Sequence, residues 1–157
     1  MKYALYFVPL LFLGCGVSEV QQKVKNFTSC YVHKMPAPFW ICYKSPFLSV
    51  GKVKAKKDDL LKKEEAYSLG LTNLIDKLRK KTDLLLKKLK IKNKNILENV
   101  KNFVMLNASQ KDFWFDKNEN FLYSLVTVDK DKFKKFLFSA LKSVGKKEFE
   151  SGFNEVF

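Results

Sequence analysis

Leu60, Tyr67, Leu71, Leu74, Leu78, Leu85 and Leu89 recur at steps of three, four or seven residues, and Leu61, Ile75 and Thr82 widen the stripe. Lysines and glutamates fill the positions between. This spacing sets the apolar side chains along one face of a helix and predicts a single long amphipathic helix from about Asp58 to Lys90. Asp58 is the expected N-cap, since a carboxylate there accepts a free amide of the first turn. So long a stripe must be buried against something. Glu64 and Lys81 interrupt the simplest heptad, which favours a helix laid on a sheet over a coiled coil.

The flanking segments supply that sheet. Phe47–Ala55 reads as a strand in which Leu48, Val50, Val53 and Ala55 alternate with Ser49, Lys52 and Lys54, and Gly51 marks a bulge or a close backbone approach. Gly51-Lys52 is not a phosphate loop, because the upstream glycine and the following hydroxyl residue are missing. After a turn at Lys92–Asn95, the apolar run Ile96–Asn107 and then Lys111–Asp116 read as the first arm of a β-hairpin, bulged or split at Asn107–Gln110. Lys117–Asn120 is its turn and Phe121–Val128 its second arm. Asp129 caps a second helix whose Phe133, Phe136, Leu137, Ala140, Leu141 and Val144 form one stripe, with Gly145 as its stop signal. The predicted class is α+β: a small three-stranded antiparallel sheet covered by one long and one shorter helix, in the order β-α-β-β-α. Lys146–Phe157, with Phe149, Phe153 and Phe157, is open between a short helix on the core and a loose tail. A terminal Phe also ends outer-membrane barrels, but the repeated strands of a barrel are missing.

The opening MKYALYFVPLLFLGCGVSEV has a different character. One positive residue, Lys2, precedes an apolar stretch from Tyr3 to Leu13, and Gly14 then stands before Cys15. The run is too short for a spanning helix, which takes roughly 20 apolar residues. Charged start, apolar middle and small residue at the cut are the order of a secretory signal. Leu11-Phe12-Leu13-Gly14-Cys15 resembles the bacterial lipobox, with Phe12 where leucine is usual. The resemblance implies cleavage between Gly14 and Cys15 and a covalent lipid on the Cys15 sulfur, palmitate among its acyl chains, which would anchor the chain to a membrane without spanning it. Gly16, not aspartate, follows the cysteine, which points to the outer membrane. The expected organisation is a signal peptide over 1–14, a lipid-anchored tether over 15–38, an α+β domain over 39–145 and a C-terminal tail over 146–157, with a helix in the tether over Val17–Asn26. Cys30 and Cys42 then remain as an even pair, open between a disulfide in an oxidising compartment and two buried thiols.

Chemistry is sparse. His33 is the only histidine, and no motif around it supports a catalytic triad. Cys30, Cys42 and His33 lack a fourth metal ligand. Asp58, Asp59, Glu64 and Glu65 read as a helix start rather than as paired catalytic carboxylates. Phe39-Trp40, after the break at Met35–Pro38, reads as a lid on a core edge or as a binding pair. Asn26-Phe27-Thr28 and Asn107-Ala108-Ser109 match the short glycosylation pattern, but Val24 and Met105 stand where a bacterial exporter wants an acidic residue. No cofactor is expected.

The 30 Lys+Arg against 16 Asp+Glu give a net charge of +14, which calls for an anionic neighbour. Aromatic-plus-lysine runs such as Lys111–Phe115 suit base stacking, but export would take the chain away from its nucleic acid. Lipid phosphates and anionic envelope polymers are the partners that fit.

Pro38-Phe39-Trp40, Val50-Gly51, Ala55, the helix with Ala66 and Leu74, and Val100–Val128 followed by Asp129-Lys130 together resemble the LPP-twenty lipoprotein family, over roughly Pro38 to Leu141. These are small outer-membrane lipoproteins of flagellated helical proteobacteria. Relatives include a surface antigen and a lipoprotein of the flagellar basal disk. The usual Gly-Val-Gly of the first strand is Ser49-Val50-Gly51 here. The resemblance implies a non-catalytic outer-membrane lipoprotein with an envelope structural or assembly role, flagellum-associated or not, that contacts itself or envelope and flagellar proteins. The alternatives are a surface-exposed adhesin or antigen and, from a different class, a periplasmic ligand-binding module or enzyme.

Overall fold

The computed structural model describes residues 29–93 and 95–157. The signal segment, Cys15 and the helix expected over Val17–Asn26 lie outside these residues. The chain begins with a two-residue hairpin, β1 (Tyr31–Val32) and β2 (Met35–Pro36), then a single turn α1 (Phe39–Cys42) and strand β3 (Leu48–Lys54). Helix α2 (Leu60–Lys88) and helix α3 (Asn95–Asn107) follow, then strands β4 (Ser109–Asp116) and β5 (Phe121–Thr127), and finally helices α4 (Lys130–Ala140) and α5 (Lys146–Val156). The fold is α+β. Its main sheet has three antiparallel strands in the order β3-β5-β4, so the hairpin's second strand is central.

The pleat sorts the side chains onto two faces. Ser49, Gly51, Val53, Leu122, Ser124 and Val126 alternate with Leu48, Val50, Tyr123 and Leu125, as a period of two requires. Val53, Ala55 and Leu122, with Phe115 beside them, pack with Ala66 of α2 on the first face. The helix crosses there at unusually short range. A Cβ added to Gly51 would lie 1.8 Å from the Ala66 carbonyl oxygen and 2.5 Å from the Gly70 nitrogen. Gly70 in turn leaves room for Val126. A mid-helix glycine costs about 1 kcal/mol relative to alanine, so Gly70 is explained by this crossing and not by propensity. Gly51 is therefore a close-approach glycine, and the β3–β5 register runs through it without a bulge.

Several expected boundaries are corrected. Asp59, not Asp58, is the N-cap of α2: its side chain accepts the Lys62 amide at 2.9 Å, while Asp58 pairs with Lys63 at 3.0 Å. Ile96–Asn107 is helix, not the first arm of the hairpin. Ile96, Val100 and Val104 are buried at successive i+4 positions, a helical period that the β-branched composition of the run obscures. The hairpin strand starts only at Ser109, and its irregularity falls between Gln110 and Asp112. Helix α4 ends at Ala140, and Gly145 is the N-cap of α5 rather than the stop of α4. Asp129 caps α4 by accepting the Lys132 amide at 2.8 Å. The expected tail is helix over Lys146–Val156, α5, whose Phe149 and Phe153 are fully buried.

The largest core lies beyond the end of the sheet, where α2, α3, α4 and α5 converge on Phe47, Val126 and Val128. Phenylalanine fills it. Phe47 meets Phe133, Phe153 and Phe157 with ring centroids 6.0, 6.4 and 5.7 Å apart, and Phe103 stacks on Phe136 at 4.4 Å. Offset and edge-on rings at such spacing add about 0.5–1.5 kcal/mol per pair beyond area burial. Lys77 ties this end of the sheet to α2 by donating to the Leu48 carbonyl at 2.6 Å, and burial lowers the pKa of its ammonium. Among the described residues no helix is long and apolar enough to cross a membrane.

Candidate functional site

The second face of the sheet is aromatic and apolar: Leu48, Val50, Trp114, Phe121, Tyr123 and Leu125. Residues 30–43 cross it as a cap. One internal crosslink closes the cap, and two long-range ties hold it to the sheet. Cys30 and Cys42 are joined as a disulfide, with their Cα atoms 5.7 Å apart, so the β1–β2 hairpin and α1 form one closed loop. Trp40 packs on Tyr123 and Leu125 at 4% exposure, and its indole N–H donates to the Asp112 carboxylate at 2.9 Å. His33, in the left-handed region at φ 48°, places its Nδ1 3.1 Å from Oδ2 of Asp116.

Asp116 is the hub of the second tie. Its side chain is fully buried, and Oδ1 accepts the amides of Asn118 and Glu119 in the β4–β5 turn at 3.0 and 3.2 Å. Burial works to raise its pKa. The His33 hydrogen bond, the two turn amides and the imidazole charge act the other way and prevail, so the carboxyl stays below the ordinary carboxylate range. One carboxylate thus shapes the hairpin turn and latches the cap. Outside the cap, Lys52 lays its ammonium 3.9 Å from the Phe121 ring centroid, and its stem covers apolar surface at the sheet's margin.

The residues singled out in the sequence fall as follows. Gly14 and Cys15 lie outside the described residues, as does Asn26-Phe27-Thr28. Cys30 and Cys42 close the cap. Of Phe39-Trp40, Trp40 is the lid and Phe39 is half exposed. His33 and Asp116 make two members of a triad, but no hydroxyl hydrogen-bonds His33 among the described residues. With Asp116 committed to the turn, the pair acts as a latch. Asp58, Asp59, Glu64 and Glu65 serve the start of α2 and are not brought together as a catalytic pair. In Lys111–Phe115, Phe115 packs beside Ala66 and Trp114 lies on the capped face, so these rings are occupied. Among the described residues no cluster of three or more His, Cys, Asp or Glu side chains could hold a metal ion. Asp112 and Asp116 were not singled out in the sequence. An aspartate opening the Lys117–Asn120 turn is a local signal for Asp116, but their partners stand 72 and 83 residues away.

His33 meets Asp116 at the β4–β5 turn, and a cleft of about 810 Å³ brings Asp59 and Lys62 of α2's first turn together with Glu119 and Asn120 of that same turn. The tip of the cap hairpin and the start of α2 therefore share one end of the molecule. No protein-family model matches the chain, and no curated protein matches it.

Proposed function

We propose that the chain is a lipid-anchored outer-membrane protein without catalytic activity, of the kind its resemblance to the LPP-twenty family implies, and that it serves in envelope structure or assembly. The observation that carries this is Leu11-Phe12-Leu13-Gly14-Cys15 standing upstream of a domain whose cap is closed by a disulfide. Lipidation of Cys15 supplies the anchor, the part of the expected 15–38 tether that precedes the cap supplies the link, and the capped sheet and α2 a rigid body to be held at the envelope; residues 30–38 of that tether belong to the cap. The disulfide supports an oxidising compartment outside the cytoplasm. The cap supports an anchoring role, because it ties the tether side of the domain to the sheet at two points, Trp40 on Asp112 and His33 on Asp116, where tether tension would otherwise peel it away. Cys15→Ala tests the proposal in membrane fractions of the source cell. Loss of processing and release from the outer-membrane fraction is the expected result. Unchanged processing with equally firm membrane association would overturn it. Deleting the whole chain separates the roles: a motility defect supports the flagellum-associated one, and unchanged motility with labelling at the cell surface supports the adhesin or antigen instead.

A further inference from the structure

The charge of this chain is placed unevenly. Between Arg79 and Lys101 stand nine basic side chains against two carboxylates, a net of +7 out of +14 for the whole chain. This segment is the last third of α2, the loop after it and the first turns of α3. The two helices pack together here, and Arg79, Lys80 and Asp83 share a shallow cleft with Leu97 of α3. Some of the charge is answered locally: Lys87 pairs with Asp83 at 2.6 Å, Lys101 with Glu98 at 3.0 Å, and Lys88 with Glu155. Lys80, Lys90 and Lys92 are exposed, and among the described residues they pair with no carboxylate. Lys90 is notable for its backbone. It ends α2 in the left-handed region at φ 55°, where glycine is the usual residue, and the Ile91 amide reaches back to the Leu86 carbonyl at 2.8 Å.

The opposite end of the molecule differs. From Lys54 to Glu65 five lysines face four carboxylates, and two of those lysines are already paired, Lys62 with Glu65 at 2.5 Å and Lys63 with Asp58 at 3.0 Å. The two ends are separated by the length of α2, 29 residues or roughly 43 Å. We infer that the pole built from the end of α2, its following loop and the start of α3 is a docking surface for an acidic polysaccharide. Its positive potential selects a polyanion. Single-stranded nucleic acid is disfavoured because no aromatic ring is exposed between Arg79 and Lys101, so no stacking platform exists there. A lipid surface is disfavoured because, among the described residues of the pole, Leu84 is the one large apolar side chain exposed.

The test does not depend on the anchor. The full chain in neutral maltoside detergent is titrated with polygalacturonate, duplex DNA and phosphatidylglycerol vesicles at several salt concentrations. Two variants with the same charge change are compared: Lys80→Gln/Lys90→Gln/Lys92→Gln at the pole and Lys54→Gln/Lys57→Gln/Lys117→Gln at the far end. All six lysines are exposed, so both variants should fold, and circular dichroism checks that they do. The expected result is salt-sensitive binding of polygalacturonate, weakened about tenfold or more by the pole variant and less than about twofold by the other. Equal weakening by both variants, no binding at low salt, or tighter binding of DNA or vesicles than of polygalacturonate would each overturn the inference. A failure here leaves Cys15 processing untouched, so the two proposals fail separately.

Discussion

Asp116 joins two jobs that a sequence presents as unrelated. It opens the β4–β5 turn by accepting two backbone amides, and it receives His33 from the cap. The first job is local and legible, since aspartate commonly starts such turns. The second joins residues 83 apart and leaves no local trace. The linkage sign follows from the lowered carboxyl. Its folded pKa lies below its unfolded value, so its contribution to stability is present above the unfolded pKa of about 4 and is lost as pH falls through the folded value. Asp116→Asn should lower unfolding free energy by about 1–3 kcal/mol at pH 7, the usual cost of weakening the hydrogen bonds of a buried group. In urea titrations the gap between wild type and variant should narrow steadily below about pH 4. A gap of constant size down to pH 2 would mean that the carboxylate charge contributes nothing.

At the scale of elements, the crossing of α2 over β3 is the most constrained contact in the fold. Gly51→Ala drives a methyl into backbone rather than into a movable side chain. Overpacking of side chains costs about 1–3 kcal/mol, and this clash should exceed that range or abolish folding. Gly70→Ala should also destabilise, but less, because its nearest obstacle is the Val126 side chain. Gly145→Ala meets nothing within 4 Å and should change stability by less than about 1 kcal/mol, a control read from the same thermal melts. The long helix was legible because its stripe continues for many turns. Helix α3 was not, because Val100, Phe103 and Val104 are good strand formers and a short apolar run supports either period. In α5 the Phe149–Phe153–Phe157 spacing of four was visible, but nothing local said whether it had a surface to cover. Its partner is the phenylalanine cluster around Phe47 and Phe133, assembled from four separate elements.

For the whole molecule, the core extends to the last helix and the cap reaches back to the first described residues. Phe153→Ala should therefore cost about 3–5 kcal/mol, as for a fully buried ring, although it lies four residues from the end of the given sequence. A loss below 1 kcal/mol would make α5 an accessory. Cys30→Ser/Cys42→Ser removes a crosslink between residues 12 apart and should cost about 2–4 kcal/mol. In a Trp114→Phe background, Trp40 emission should shift to the red under reducing conditions if the cap lifts, and stay fixed if packing alone holds it. The central claim, that this capped domain works from a lipid bonded to Cys15, is tested most directly by mass spectrometry of the N-terminal peptide of the chain taken from fractionated envelopes. The account predicts a peptide beginning at Cys15 and bearing diacylglycerol on sulfur. A peptide beginning at Met1 with an unmodified Cys15 would contradict it.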